Sequence, residues 1–375
     1  MSVVGIIFSN IHDKSIPELT RLRTMASVPF GCRYRLIDFT LSNMVNSGIK
    51  HVGIITHYNY QSLMDHLGSG IDWDLARRSG GIQILPPYIT AFANTKNFLY
   101  TTRLEALKNI ASFINECKEE YVVLSDCDVI CNIDLNDVIE KHIESGADVT
   151  YVTKRVDLTF AGKRNIIIRS DSNNVITSME ESQGNETGPY DINTNILVMK
   201  RRFLVTELME ATAHNYTSFT HDIIARELKK RQIHAYRFDG YFVSVGSMTD
   251  YYNCNMELLD SAVRKQLFNV PGRPVLTKVR NSPPTKYAES AVVKNSLIAD
   301  GCMIEGRVEN SVIFRGVKIG KDTVVRNSIL MQDTFTGEKV SLNCVITDKN
   351  VVIRDGRVLS GCEEVPFYLA KMMQV

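Results

Sequence analysis

Residues 9–15 read Ser-Asn-Ile-His-Asp-Lys-Ser and follow a short apolar run, Val3 to Phe8, that has the character of a buried parallel strand. In an enzyme that handles nucleoside triphosphates, a loop in this place supplies glycine backbone N–H groups to the phosphates, with a basic residue or two. This loop has no glycine. A second candidate follows the apolar run "YVVLS": Asp128, with Asp126 two residues before it. A carboxylate there could hold Mg²⁺, but one carboxylate alone is a poor Mg²⁺ site, and a turn aspartate is the plainer reading. His57 reads as a packed polar residue rather than a general base. The cysteines, at 32, 117, 127, 131, 254, 302, 344 and 362, form no CxxC pair, and their spacing suggests neither a disulfide framework nor a zinc site. Reduced thiols in a cytoplasmic protein are the expectation.

These residues need elements to position them. The chain of 375 residues is long enough for two domains of unequal size. A net charge of +1 argues against a broad nucleic-acid surface. No apolar run approaches the roughly 18 residues of a membrane span, and the N-terminus lacks the pattern of a signal peptide. Up to about residue 265, strand and helix patterns alternate. Strands are expected at 52–56, 121–124, 148–153, 192–200 and 235–245, and helices near 102–117, 134–145, 201–212, 219–231 and 247–264. Such alternation implies a mostly parallel α/β sheet with ligands beyond the carboxyl ends of its strands. The loops after Phe8, Thr56 and Leu124 would then share one pocket.

Four prolines crowd residues 270–287, which no helix survives, so this is a linker. Beyond it "NSLI" at 295, "NSVI" at 310, "NSIL" at 327 and "NCVI" at 343 repeat at spacings of 15, 17 and 16. Apolar residues recur at sixes: Ile298 and Ile304, then Ile313, Ile319 and Val325. That period fits the faces and corners of a β-helix. A β-sandwich is the rival reading, and the repeated Asn-Ser phrase favours the β-helix.

Three segments carry a resemblance. "VPFGCRYRLIDFTLSNMVNSGIKHVGIITHYNYQSLMDHL", "YFVSVGSMTDYYNCNMELL" and "CVITDKNVVI" resemble, in order, signatures of the glucose-1-phosphate adenylyltransferase (ADP-glucose pyrophosphorylase) family. The resemblance implies a Rossmann-like nucleotidyltransferase α/β domain over 1–265, a Pro-rich linker over 266–290 and a left-handed parallel β-helix over 291–375. It also implies chemistry: ATP and glucose 1-phosphate give ADP-glucose and pyrophosphate, with Mg²⁺ bridging the reacting phosphates.

The matched positions then tell against catalysis. The loop glycines of the family become Asn10, Ile11 and Asp13, and Asp13 would set a negative charge beside phosphate. The catalytic arginine becomes Ser15 and the following lysine Met25, which cannot stabilise an oxyanion. Of two metal carboxylates, Asp128 stays and the other becomes Ser244; the sugar-phosphate lysine becomes Glu181. His57 stands where a glutamine faces adenine, and Asp222 matches a sugar-site position that could equally cap a helix. One lost charge costs about 3–4 kcal/mol of barrier, so two or three imply a rate lower by roughly 10⁴-fold or more, even where they overlap. Arg23, Arg35, Asp348 and Lys349 match positions that in family members build a phosphate or effector site between the domains. Structural salt bridges are the alternative for Arg35 and Asp348.

This pattern resembles the non-catalytic, regulatory branch of the family. It implies a hetero-tetramer with a catalytic glucose-1-phosphate adenylyltransferase subunit, a sugar-phosphate effector, and no cofactor unless residual activity needs Mg²⁺. The alternative is an active sugar-phosphate nucleotidyltransferase with an altered site. An acyltransferase acting through the β-helix is weaker, because all eight histidines lie before residue 235.

Overall fold

The computed structural model describes residues 2–87, 100–158, 165–226, 228 and 230–375. Packing divides the chain into two compact units. The first comprises Met1–Ile11, Phe39–Tyr60 and Gly68–Phe242, the second His12–Asp38, Gln61–Leu67 and Val243–Val375. The second thus gathers an N-terminal segment together with the C-terminal repeats.

The first unit is built on a nine-stranded sheet. Its strands are β1 (Val3–Phe8), β2 (His51–Ile55), β3 (Gly81–Leu85), β4 (Tyr121–Asp126), β5 (Val149–Leu158), β6 (Ile166–Ser170), β7 (Ile176–Glu181), β8 (Gly188–Lys200) and β9 (Ile233–Arg237). β4, β1, β2 and β3 lie side by side and all parallel. β8 runs antiparallel to β4, β5 and β6, and β9 pairs β5 in parallel. β1 is apolar throughout because helices cover both its faces. Gly5 makes one of those contacts possible, since a Cβ there would lie 2.4 Å from Met44 Sδ.

Several expected elements divide where local chemistry stops them. The helical stretch at 102–117 breaks at Ile110 into Arg103–Asn109 and Ala111–Glu116. The first of these starts in a capping box of Thr102 and Glu105. The stretch 247–264 becomes Met248–Glu257 and Ser261–Phe268, because the Asp260 side chain caps a new start. The strand expected at 235–245 ends at Arg237 and resumes as Phe242–Ser244. Phe219–Ala225 winds as a π-helix; the expected helix continues to 231, but Glu227 and Lys229 lie outside the described residues.

In the second unit the repeats form a left-handed β-helix of three parallel sheets, five short strands each. Ile304, Ile313, Ile319 and Val325 stack inside it, and Ile298 packs against them. The Asn-Ser phrase has a physical reason. Asn295, Asn310 and Asn327 take the left-handed corner conformation (φ 40°, 45° and 46°), which asparagine tolerates better than most residues. The serine hydroxyls that follow bridge coils: Ser296 Oγ accepts from Ser311 N, Ser311 Oγ from Ser328 N, and Ser328 Oγ from Val345 N, each at 3.1 Å. The fourth phrase is out of step by one residue. Asn343 pairs in register with Arg326, and Cys344 takes the corner at φ 50°. The structural repeat therefore runs 297, 312, 329, 346, not through the printed phrase.

Candidate functional site

Two clusters hold the expected site residues, one in each unit. In the first unit, the carboxyl ends of β1, β2 and β4 present Asn10, Thr56, His57, Asp126 and Asp128. Asn10 is buried and serves as an internal tie. Its Oδ1 accepts from Ser9 Oγ (2.7 Å), Thr56 Oγ1 (2.8 Å) and His57 N (3.2 Å), and its Nδ2 donates to Tyr58 O (3.3 Å). A side chain knotted across two loops fills the space that a glycine would leave open to phosphate. The His57 ring packs on Tyr58 and Tyr100, with centroids 4.1 and 4.7 Å away.

Arg103 is a residue that sequence reasoning missed. From the first turn of Arg103–Asn109, its Nε donates to Asp126 Oδ1 at 3.0 Å and a terminal nitrogen to Oδ2. The carboxylates of Asp126 and Asp128 approach within 4.8 Å, but the guanidinium engages both oxygens of the buried Asp126. Ser244 stands at the matched second position, so of the family's two metal carboxylates Asp128 is the one kept, and a single carboxylate is a poor match for Mg²⁺. Asp222 accepts from Thr217 N and Ser218 N, both at 2.9 Å, which holds its carboxyl below the usual range. It is a turn cap. Glu181 ends β7 exposed, 3.6 Å from His221 Nε2. Asp222 is thus spent on local partners, whereas Glu181 faces solvent.

In the second unit, Asp13 is buried and its Oδ1 accepts from Met25 N at 2.7 Å. The expected phosphate-repelling charge is thus spent on holding a turn. Ser15 ends the short turn Asp13–Ser15 and is exposed, while Met25 is fully buried. Ser244 ends the strand Phe242–Ser244.

The four expected effector residues all fall in this second unit. Arg23 pairs with Asp348, one guanidinium nitrogen lying 2.8 Å from each carboxylate oxygen, with both side chains almost wholly buried. Tyr368 Oη and Lys349 N also donate to that carboxylate, at 3.2 and 2.7 Å. The partner of Asp348 is therefore Arg23, whereas Arg35 donates from one nitrogen to Ser62 O and Oγ (2.5 and 2.9 Å).

Arg35 and Lys349 line a cavity with Arg33, Lys278, Arg280, Arg315 and His66. Asp300 neutralises Arg315 at 2.9 Å. Among the described residues, Arg33, Arg35, Lys278, Arg280 and Lys349 have no ion-pair partner. Burial, then the charges of Arg35 and Arg23, push the Lys349 ammonium down to about 7. Burial likewise lowers Arg35 to about 10, with Asp38 opposing and Arg280 and Arg23 adding to the fall. His66 Nε2 lies 2.6 Å from Asp38 Oδ1, and burial still lowers its pKa. Asp38 Oδ2 accepts from Arg35 N at 3.0 Å, so one carboxylate fixes both His66 and Arg35. Cations without ion-pair partners on a concave wall are what binding of an anion would need. Lys278 and Arg280 lie in the Pro-rich stretch, where sequence reasoning missed them.

A family model described as Nucleotidyl transferase matches residues 16–261, and one described as GlmU-like, C-terminal hexapeptide matches residues 283–364. Glycogen biosynthesis protein GlgD of Bacillus subtilis (strain 168) is 33% identical over 374 residues, 98% of this chain and 96% of the relative. GlgD of Geobacillus stearothermophilus is 38% identical over 323 residues, 86% and 82% of the two chains. Glucose-1-phosphate adenylyltransferase of Fervidobacterium nodosum is 33% identical over 357 residues, 95% of this chain and 85% of the relative. Among the described residues, no helix is long and apolar enough to cross a membrane.

Proposed function

Since the chain belongs to the nucleotidyltransferase family that contains glucose-1-phosphate adenylyltransferase and GlgD, we propose that it serves glycogen biosynthesis as a non-catalytic regulatory subunit. In this reading it assembles with a catalytic glucose-1-phosphate adenylyltransferase subunit in the cytoplasm and shifts that subunit's rate or affinity. The observation that carries the proposal is the contrast between the two clusters. At the strand ends, Asn10 fills the phosphate cradle and Arg103 ties up Asp126. In the second unit, five basic side chains remain unpaired around a cavity. Its charge suits a sugar phosphate as the effector.

Regulation of this kind needs the effector to distinguish two states of the assembly, a coupling of typically ~1–3 kcal/mol, or about 5–150-fold in affinity. The test is pyrophosphate release from ATP and glucose 1-phosphate with Mg²⁺, for this chain alone, the catalytic subunit alone, and the mixture. A silent chain that changes the kinetics of the mixture supports the proposal. Kinetics identical with and without it overturn the proposal. Turnover by this chain alone at ordinary rates would establish the alternative, an active enzyme in which other residues supply the missing charge.

A further inference from the structure

We propose that His51, Cys117 and Glu119 bind a divalent cation of the zinc class. The site lies in the first unit at the amino-terminal edge of the sheet, the edge opposite Asn10, Thr56 and Asp126. His51 begins β2, Cys117 follows the helix Ala111–Glu116, and Glu119 stands in the turn before β4. One nitrogen, one sulfur and one oxygen from these side chains lie within 4.8 Å of one another. The closest pair, His51 Nδ1 and Glu119 Oε1, is 2.9 Å apart.

Tetrahedral zinc, with Zn–S near 2.3 Å and Zn–N and Zn–O near 2.0–2.2 Å, needs donor atoms about 3.3–3.7 Å apart, so shifts of about an ångström close the site. The donor set mixes imidazole, thiolate and carboxylate, which suits zinc and its neighbours and not Mg²⁺ or Ca²⁺.

Three further observations point to a ligand. Glu119 Oε2 is buried and has no hydrogen-bond partner among the described residues, so one donor oxygen is already desolvated. The His51 ring is held edge-on by Phe113, with centroids 5.3 Å apart. The charges also balance: thiolate and carboxylate cancel the cation, as a half-buried site requires. An ordinary cysteine thiol, with a pKa of about 8.5, is protonated at neutral pH, whereas the metal ligand is the thiolate. Binding therefore exchanges the thiol proton for the metal: the S–H bond breaks, an S–metal bond forms, and one proton leaves to solvent. Arg201 Nε donates to Glu119 O at 2.8 Å, which fixes the backbone beside the ligand. Cysteine spacing could not reveal this site, because its ligands come from two distant stretches and include only one cysteine.

The experiment is a Co²⁺ titration of the full, tag-free chain under reducing conditions. Expected are one ion per chain, a thiolate-to-cobalt charge-transfer band, tetrahedral d–d absorption, and release of about one proton per ion at pH 7. Cys117→Ser abolishes the charge-transfer band. His51→Gln and Glu119→Gln each weaken binding tenfold or more. Cys362→Ser, which removes the one exposed thiol, leaves the spectrum unchanged. A wild-type chain without the band overturns the proposal, as does a band that survives Cys117→Ser or disappears with Cys362→Ser. Should Cys117→Ser not fold, the two part-exposed positions decide, and Co²⁺ affinity unchanged in both His51→Gln and Glu119→Gln overturns it equally.

Discussion

Lys349→Met removes one positive charge from among like charges and leaves the aliphatic bulk in place. In the folded chain burial, then Arg35 and Arg23, bring the ammonium down to about 7; unfolded, it titrates near 10.4. The sign follows from proton counts. Below about pH 7 the lysine is charged in both states, and the fold bears the full cost of a buried cation beside cations. As pH rises from about 7 to 10, the folded chain has shed the proton while the unfolded chain still holds it, so stability climbs. About three decades of proton affinity at ~1.4 kcal/mol each set an upper figure of ~4 kcal/mol on that climb. Methionine does not titrate, so the variant is the more stable protein at pH 6, and the two curves converge toward pH 10. Urea midpoints followed by circular dichroism at pH 6, 7, 8 and 9, in phosphate-free buffer, measure the difference. Two parallel curves with a constant offset would refute the argument, since they would mean that Lys349 keeps an ordinary pKa in the fold.

Other expectations follow from the same geometry. Arg23→Met and Asp348→Leu each strand a buried charge or its partners and cost ~3–5 kcal/mol; the double variant Arg23→Met/Asp348→Leu costs less than their sum, measured by a urea double-mutant cycle. Arg280→Ala, at an exposed position, weakens inorganic pyrophosphate binding about tenfold in calorimetry and flattens its salt dependence, with little change in melting temperature. Asn310→Ala loses both the left-handed corner preference and the 2.8 Å bond from Asn295 Nδ2, lowering stability by ~1–2 kcal/mol in urea. Ser15→Arg with Met25→Lys restores two matched cations and raises pyrophosphate release by less than about tenfold while Asn10 fills the cradle; adding Asn10→Gly gives the larger gain.

The buried middle of the first unit was legible because β1, β2 and β4 are short apolar runs between turn signals. The strands Gly81–Leu85, Ile166–Ser170 and Ile176–Glu181 were not, since "GIQIL", "IIIRS" and "ITSMEE" mix polar residues into half-exposed positions. In the repeats, six-residue apolar spacing pointed to the β-helix but not to the register of its fourth coil. There the printed "NCVI" misleads by one residue, because backbone pairing aligned Arg326 with Asn343. The strand-end replacements were visible as losses, yet their replacement roles were not: nothing in the spelling of residues 9–15 says that Asn10 bridges two loops or that Asp13 holds Met25 N. Arg103, Lys278 and Arg280 became candidates only once packing placed them, since lone cations on helix starts and in proline-rich stretches have no periodic signature.

The Arg23–Asp348 bond joins residues 325 apart in sequence. A ribosome adding about 5–20 residues per second takes roughly 16–65 s to cover that span. Throughout that interval Arg23 has been made but Asp348 has not. Arg23 is thus translated early and paired late. A chain stopped before Asp348 loses more than its last coil, because Arg23 keeps its charge without Asp348 to meet it. A delayed final stretch of translation lengthens the wait of Arg23 for its carboxylate in direct proportion.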